Sequence, residues 1–176
     1  NERNIIVSHQ FYLPKGRSAD EIERMDSEVR TVSNIDEVSA DVLEPFDYAA
    51  LGHIHKPMSA GNDNFRYCGT PVACSVSEAG QEKGIIVAEI GKKNADGVTD
   101  IKTSVLPLIP LRRIKVIKGE FADVLAQSCD DFVSVRLTDK KDIDIMDMHD
   151  RLRSAFPYLL EIQREKIRTF GSSVEI

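Results

Sequence analysis

The sequence predicts an α+β fold in two parts, and three observations carry that expectation. Short β-branched runs separated by Gly, Pro, Asn and Asp dominate the chain to about residue 106. Two prolines then bracket Leu108-Ile109, which favours an extended connector. Beyond them the hydrophobic period alternates between two and 3.6 in the order β-α-β-α-β. With 176 residues and 41% apolar content, the chain has enough apolar material for a core in each part.

The elements follow in order. Asn4 to Ser8 reads as a buried strand that stops at His9-Gln10. Pro14 and Gly16 break the chain, and the charged stretch from Ser18 to Arg30 reads equally as a helix or a loop because its apolar face is poor. Asn34 before Asp36-Glu37-Val38 predicts a capped short helix closed by Pro45. Tyr48 to Leu51 is a second strand, residues 61–64 a turn, and Phe65 to Gly69 a third strand. Gly84 to Ile90 and Val98 to Leu106 form a hairpin around residues 91–97. In the second part, strands are expected at Arg113 to Lys118, Phe132 to Leu137 and Leu159 to Gln163, with helices at Glu120 to Gln127 and Met146 to Phe156. The domain reading is 1–106, a linker at 107–111, a second domain at 112–165 and a tail at 166–176.

Charge and cysteine usage narrow the function classes. Twenty-three Lys and Arg against 29 Asp and Glu leave a net charge of −6, so any contact with a polyanion must be local. No apolar run is long enough to span a bilayer and no basic-then-apolar leader precedes Ile5, so membrane and secretory readings are not expected. Cys68, Cys74 and Cys129 are odd in number and lack C-x-x-C spacing. They read as reduced packing residues in a cytoplasmic protein. The chain opens Asn1-Glu2-Arg3 and runs almost at once into a strand, which reads as an internal stretch of a longer polypeptide.

The chemistry concentrates on histidine. His53 and His55 lie two residues apart after a strand and beside Gly52, so both imidazoles can project to one side. His9 ends another strand, and the carboxyl edge of a sheet is where such sites assemble. Two divalent ions about 3.5–4 Å apart also need carboxylate oxygens. Glu44, Asp47 and Glu78 lie in no ligand-like pattern and read as solvated charges, and Gly61-Asn62-Asp63 reads as a turn. Arg112, Arg113, Lys115 and Lys118 give a local positive excess suited to a phosphate backbone, or an ordinary solvated strand edge. Asp139, Asp142, Asp144, Asp147 and Asp150 lack the glycine and terminal glutamate of a calcium loop. They read as a solvated turn and helix start, with His149 on the surface.

These residues carry a resemblance. Ser8-His9-Gln10-Phe11, the run from Phe46 through Gly52-His53-Ile54-His55-Lys56-Pro57, and Tyr67-Cys68-Gly69-Thr70-Pro71 followed by Ser75, Ser77 and Glu78 resemble SbcD-type nuclease subunits of the calcineurin-like metallophosphoesterases. Pro107 to Arg113 and Leu159 to Ile162 extend the likeness over residues 4 to about 165. The resemblance implies the later part of a two-layer, β-rich metallophosphoesterase domain followed by a capping domain that positions DNA. It implies that His9 and His53 ligate one manganese and His55 another, with magnesium as an alternative ion, and that a bound water or hydroxide attacks the phosphodiester. The partners it implies are DNA and an SbcC-type coiled-coil ATPase.

Three motifs of that family, Asp-x-His, Gly-Asp-x-x-Asp and Gly-Asn-His-Asp or -Glu, would precede residue 1. They would supply the oxygen ligands and the catalytic histidine, so this chain alone is expected to bind metal weakly and to leave DNA uncut. An apolar sheet face is then expected to need the missing half or self-association to cover it. Two other functions suit the same residues: hydrolysis of small phosphodiesters, and a non-catalytic DNA- or protein-binding module.

Overall fold

The computed structural model describes residues 2–23, 25–28, 37–139 and 145–165. It divides into two units, Asn1–Leu111 and Arg112–Ile176, each with its own apolar core.

The first unit contains strands Ile5–His9 (β1), Phe11–Leu13 (β2), Glu37–Ser39 (β3), Tyr48–Gly52 (β4), Met58–Ser59 (β5) and Phe65–Tyr67 (β6). Its main sheet has the order β1-β4-β6-β5, with β1, β4 and β6 parallel and β5 antiparallel to β6. Register decides which side chains share a face. Ile6 lies opposite Ala49, Ser8 opposite Leu51, and those β4 residues opposite Phe65 and Tyr67. This face packs onto Phe11, Leu43 and Ile54 to make the core. The other face carries Ile5, Val7 and His9 beside Tyr48, Ala50 and Gly52. It is only partly covered, for Val7 is 82% exposed, and it borders an open cleft of about 450 Å³ lined by His9, Tyr48, Arg66 and Ile86 among others. A long antiparallel hairpin, Gly84–Lys93 (β7) with Thr99–Pro107 (β8), completes the unit.

Several elements differ from expectation. Glu37–Ser39 is a strand, because it pairs in parallel with Phe11–Leu13 and lets Val38 pack on the core. The short helix is instead a 3-10 turn at Ala40–Leu43, opened by the Ser39 hydroxyl accepting from Asp41 N. Asn34 and Asp36 lie outside the described residues. Within 18–30, the described residues hold one 3-10 turn, Ala19–Glu21; Ile22 and Met25 are nevertheless buried. The connector is bound at its start, since Pro107 pairs with Gly84 and Leu108 N donates to Lys83 O at 2.9 Å.

The second unit runs Ile114–Gly119 (β9), Phe121–Leu125 (α1), Phe132–Leu137 (β10), Ile145–Ala155 (α2) and Leu159–Arg164 (β11). Its three strands are parallel in the order β11-β10-β9, as short β-α-β crossovers dictate. Met148, Leu152 and Phe156 recur at helical spacing and bury against Val133, Val135 and Leu137 of β10. Helix α1 ends at Leu125, earlier than the expected Gln127, because Gln127 N bonds back to Val124 O and tightens the last turn. Asp139 accepts from Phe121 N at 2.8 Å and so satisfies one of the unpaired donors at the start of α1.

Asp47 shows how the first unit is tied together. Its carboxylate accepts from Thr99 Oγ1 at 2.6 Å and Asn4 N at 2.7 Å, and meets Lys93 Nζ at 3.1 Å. The Thr99 and Asn4 hydrogen bonds, helped by Lys93, hold its pKa at about 2, below the ordinary 3.8. It is not the solvated charge expected of it. A depressed folded pKa means that the stability it contributes is complete above the ordinary value and disappears as pH falls through the folded one. Asp47→Asn should therefore flatten the acid limb of a pH–stability curve between about pH 4 and pH 2, measured by urea unfolding.

Candidate metal centre

His9 ends β1 and Gly52 ends β4, and the two are register partners across the parallel pair. The chain then turns sharply, with His53 at φ 101°, a conformation that strains a side chain-bearing residue and recurs at functional sites. This turn brings the His9 and His53 rings edge to face, with centroids 5.7 Å apart and planes at 88°. Phe11 stacks on His53 at 6.3 Å. Tyr67 Oη braces the bend after His9 by donating to Gln10 O at 3.0 Å and accepting from Tyr12 N at 2.7 Å.

Glycine at 52 makes the pairing of rings possible. A Cβ there would sit 2.7 Å from His9 Nδ1, so the imidazole occupies space that a side chain would take. Because the obstructing atom belongs to a side chain, Gly52→Ala should leave the fold intact while turning His9 away. The expected result is a retained circular dichroism spectrum with a clear shift of the His9 ring resonances, which unchanged resonances would refute.

His55 faces a different environment. Its Nδ1 lies 2.7 Å from Ser27 Oγ and 3.4 Å from Glu78 Oε1. Its backbone N donates to Glu28 Oε1 at 2.8 Å, and its carbonyl accepts from Lys83 Nζ at 3.0 Å and Thr70 N at 3.2 Å. Glu78 corrects the sequence reading outright: it is 0% exposed, not a solvated charge. Oxygen Oε1 accepts from Ser27 at 2.5 Å and Ser75 at 3.1 Å; Oε2 accepts from Thr70 at 2.9 Å and Lys83 at 2.7 Å. Burial pushes the Glu78 pKa up, but the hydrogen bonds from Lys83, Ser27, Thr70 and Cys74 N outweigh it and hold the carboxyl at about 2. Lys83 is buried with it, at 6% exposure.

The structure thus brings His9 and His53 together and seats His55 on a buried polar network. Among the described residues, no group of three or more His, Cys, Asp or Glu side chains is gathered so as to hold a cation. Imidazole nitrogen suits a divalent ion, and among the described residues no carboxylate joins His9 and His53 to complete the set. Ser27, Glu28 and Lys83 were not legible as site residues. The signal was the hydroxyl-rich run Thr70, Ser75 and Glu78 followed by Lys83, whose members converge only once the chain folds.

Among Arg112, Arg113, Lys115 and Lys118, the side chains of Arg112, Lys115 and Lys118 have local partners. The Arg112 guanidinium carbon lies 4.0 Å from the Tyr158 ring centroid, and Nη2 donates to its hydroxyl at 2.9 Å. Lys115 pairs with Asp131 at 2.7 Å, which raises the lysine pKa and lowers that of the aspartate. Lys118 pairs with Glu165, and Arg113 N donates to Asp131 Oδ1. Asp131 and Glu165 therefore offset part of the positive excess read from the sequence. Lys56, next to the histidine loop, pairs with Glu23.

Asn62 Oδ1 accepts from Asn64 N in a turn, and His149 is exposed. Asp147 faces Arg151 at 3.5 Å, while Asp142 and Asp144 lie outside the described residues. All three cysteines are free thiols; Cys74 is exposed, so it is not a packing residue, whereas Cys68 Sγ bonds Gly84 O and Ile86 N. No helix among the described residues is long and apolar enough to cross a membrane. No protein-family model matches this sequence.

Proposed function

We propose that the chain contributes the histidine half of a divalent-metal phosphodiesterase centre, as part of an SbcD-type nuclease subunit that works on DNA with an SbcC-type coiled-coil ATPase. One observation carries the reading: two imidazoles 5.7 Å apart at the carboxyl ends of adjacent parallel strands, one on a residue with φ 101°, with a glycine between strand and turn that leaves them room. His9 and His53 would share one ion and His55 would hold the second. Manganese or magnesium bound there would lower the pKa of a water and neutralise phosphate charge.

The chain's own residues orient these ligands. Gly52 admits the His9 ring, Phe11 supports His53, and Ser27 and Glu78 fix His55. Because oxygen donors are lacking among the described residues, the reading requires them from polypeptide bearing the Asp-x-His, Gly-Asp-x-x-Asp and Gly-Asn-His-Asp or -Glu motifs. The local pairing of Lys115 and Lys118 assigns the second unit a modest share of any DNA affinity.

The test mixes this chain with a polypeptide carrying those motifs and follows linear duplex DNA with Mn²⁺. Cleavage in the mixture, absent from either part and abolished by His53→Ala, is expected. Hydrolysis of a small phosphodiester without DNA cleavage would move the assignment to a small-molecule phosphodiesterase. No hydrolysis of either substrate, with both parts folded and associated, would leave a non-catalytic module.

A further inference from the structure

We infer that Glu78 is a positioning residue that sets the tautomer of His55, keeping the proton on Nδ1 and leaving the Nε2 lone pair as the atom offered to a divalent cation. The inference rests on the reading of His55 as a metal ligand and deepens it by assigning the ligating nitrogen.

Ser27 Oγ and Glu78 Oε1 are 2.5 Å apart, and two oxygens approach that closely only with a proton between them. Lys83 Nζ, 2.7 Å from Oε2, together with the hydroxyls of Thr70 and Ser75, surrounds the carboxylate with donors, so Glu78 acts as acceptor only. The proton in the short contact is therefore that of Ser27. A hydroxyl has one proton, so towards His55, 2.7 Å away, Ser27 Oγ can only accept. Nδ1 must be the donor, and neutral imidazole then carries its lone pair on Nε2. Glu78 Oε1, 3.4 Å from Nδ1, favours the same tautomer directly. A carboxylate that turns a histidine in this way is a recurrent support of metal ligands. Lys83 adds backbone restraint, since the same ammonium that holds Oε2 also donates to His55 O at 3.0 Å.

The geometry further dictates what Glu78→Gln does. Lys83 requires an oxygen at the Oε2 position, which places the new amide NH₂ against Ser27. Ser27 then accepts from the amide and turns its proton to His55 Nδ1, so the imidazole must carry its hydrogen on Nε2.

Long-range ¹H–¹⁵N correlation spectra of the histidine rings in the metal-free full chain, which distinguish the two neutral tautomers from the charged ring, test this directly. The expected wild-type result is a protonated Nδ1 and an unprotonated Nε2 for His55; the reverse tautomer overturns the inference. Glu78→Gln is expected to switch His55 to the Nε2–H form, and an unchanged spectrum in the folded variant overturns the role of Glu78. If that variant does not fold, Ser27→Ala replaces it. Glu78 remains beside Nδ1, so the Nδ1–H form should persist, and its loss overturns the carboxylate's hold. Mn²⁺ separates this inference from the functional reading. With the chain mixed with the polypeptide that carries the three motifs, the Nδ1–H tautomer without Mn²⁺ broadening of the His55 ring sinks the metal centre and leaves the positioning intact. Where Mn²⁺ does bind, Glu78→Gln should weaken it by about 10–100-fold.

Discussion

Lys83→Met should lower the stability of the folded chain by about 3–5 kcal/mol, because it strands a fully buried carboxylate without its cation. Glu78 is 0% exposed and Lys83 6%, and their 2.7 Å contact is the only charge compensation found for Glu78 among the described ion pairs apart from His55. Three hydroxyls satisfy hydrogen bonds to the carboxylate without cancelling its charge. The cost should fall steeply in a Glu78→Gln background, where no buried anion remains. Urea midpoints for the two single variants and the double variant give the coupling directly. A loss of less than about 1 kcal/mol for Lys83→Met would mean that the pair is open to water.

Gly69→Ala should cost about 2–5 kcal/mol and dislodge the loop that carries His55. Two separate penalties combine. At φ +79°, an added Cβ is strained wherever it points; here it would also meet His55 O at 2.7 Å and Pro57 Cδ at 2.9 Å. The first obstacle is backbone and cannot swing aside. Gly97 supplies the control, with the same φ and nothing within 4 Å. Gly97→Ala should therefore show the conformational term alone, about 1–2 kcal/mol. Thermal melts compare the two, and the His55 ring resonances should move only in the Gly69 variant. Equal losses would show that the loop yields without resistance.

Much of the strand content was legible because β-branched runs favour extended backbone locally, although the burial expected of Asn4 to Ser8 is not found: Ile5 is 50% and Val7 82% exposed. β1, β4, β7, β8 and the β-α-β-α-β order of the second unit all follow from residues within a few positions of each other. The segment at Glu37–Ser39 was misread for the opposite reason. An acidic cluster after asparagine favours a helix start, but pairing with Phe11–Leu13, some 26 residues away, decided for a strand. Strands β2, of three residues, and β5, of two, went unread because neither is long enough to display a period.

The sequence alone therefore determined the strand-rich first part, the alternating second part, and the placement of imidazoles at strand ends, since each is a short-range consequence of side-chain type. Only the tertiary structure decided that the His9 and His53 rings meet edge to face, and that His55 turns to Ser27 and Glu78. It alone made Glu78 a buried hub, where composition suggests a solvated charge. The physical reason is that burying a carboxylate is favourable only when donors converge on it, and Ser27, Thr70, Ser75 and Lys83 converge through folding, from positions spread over more than fifty residues.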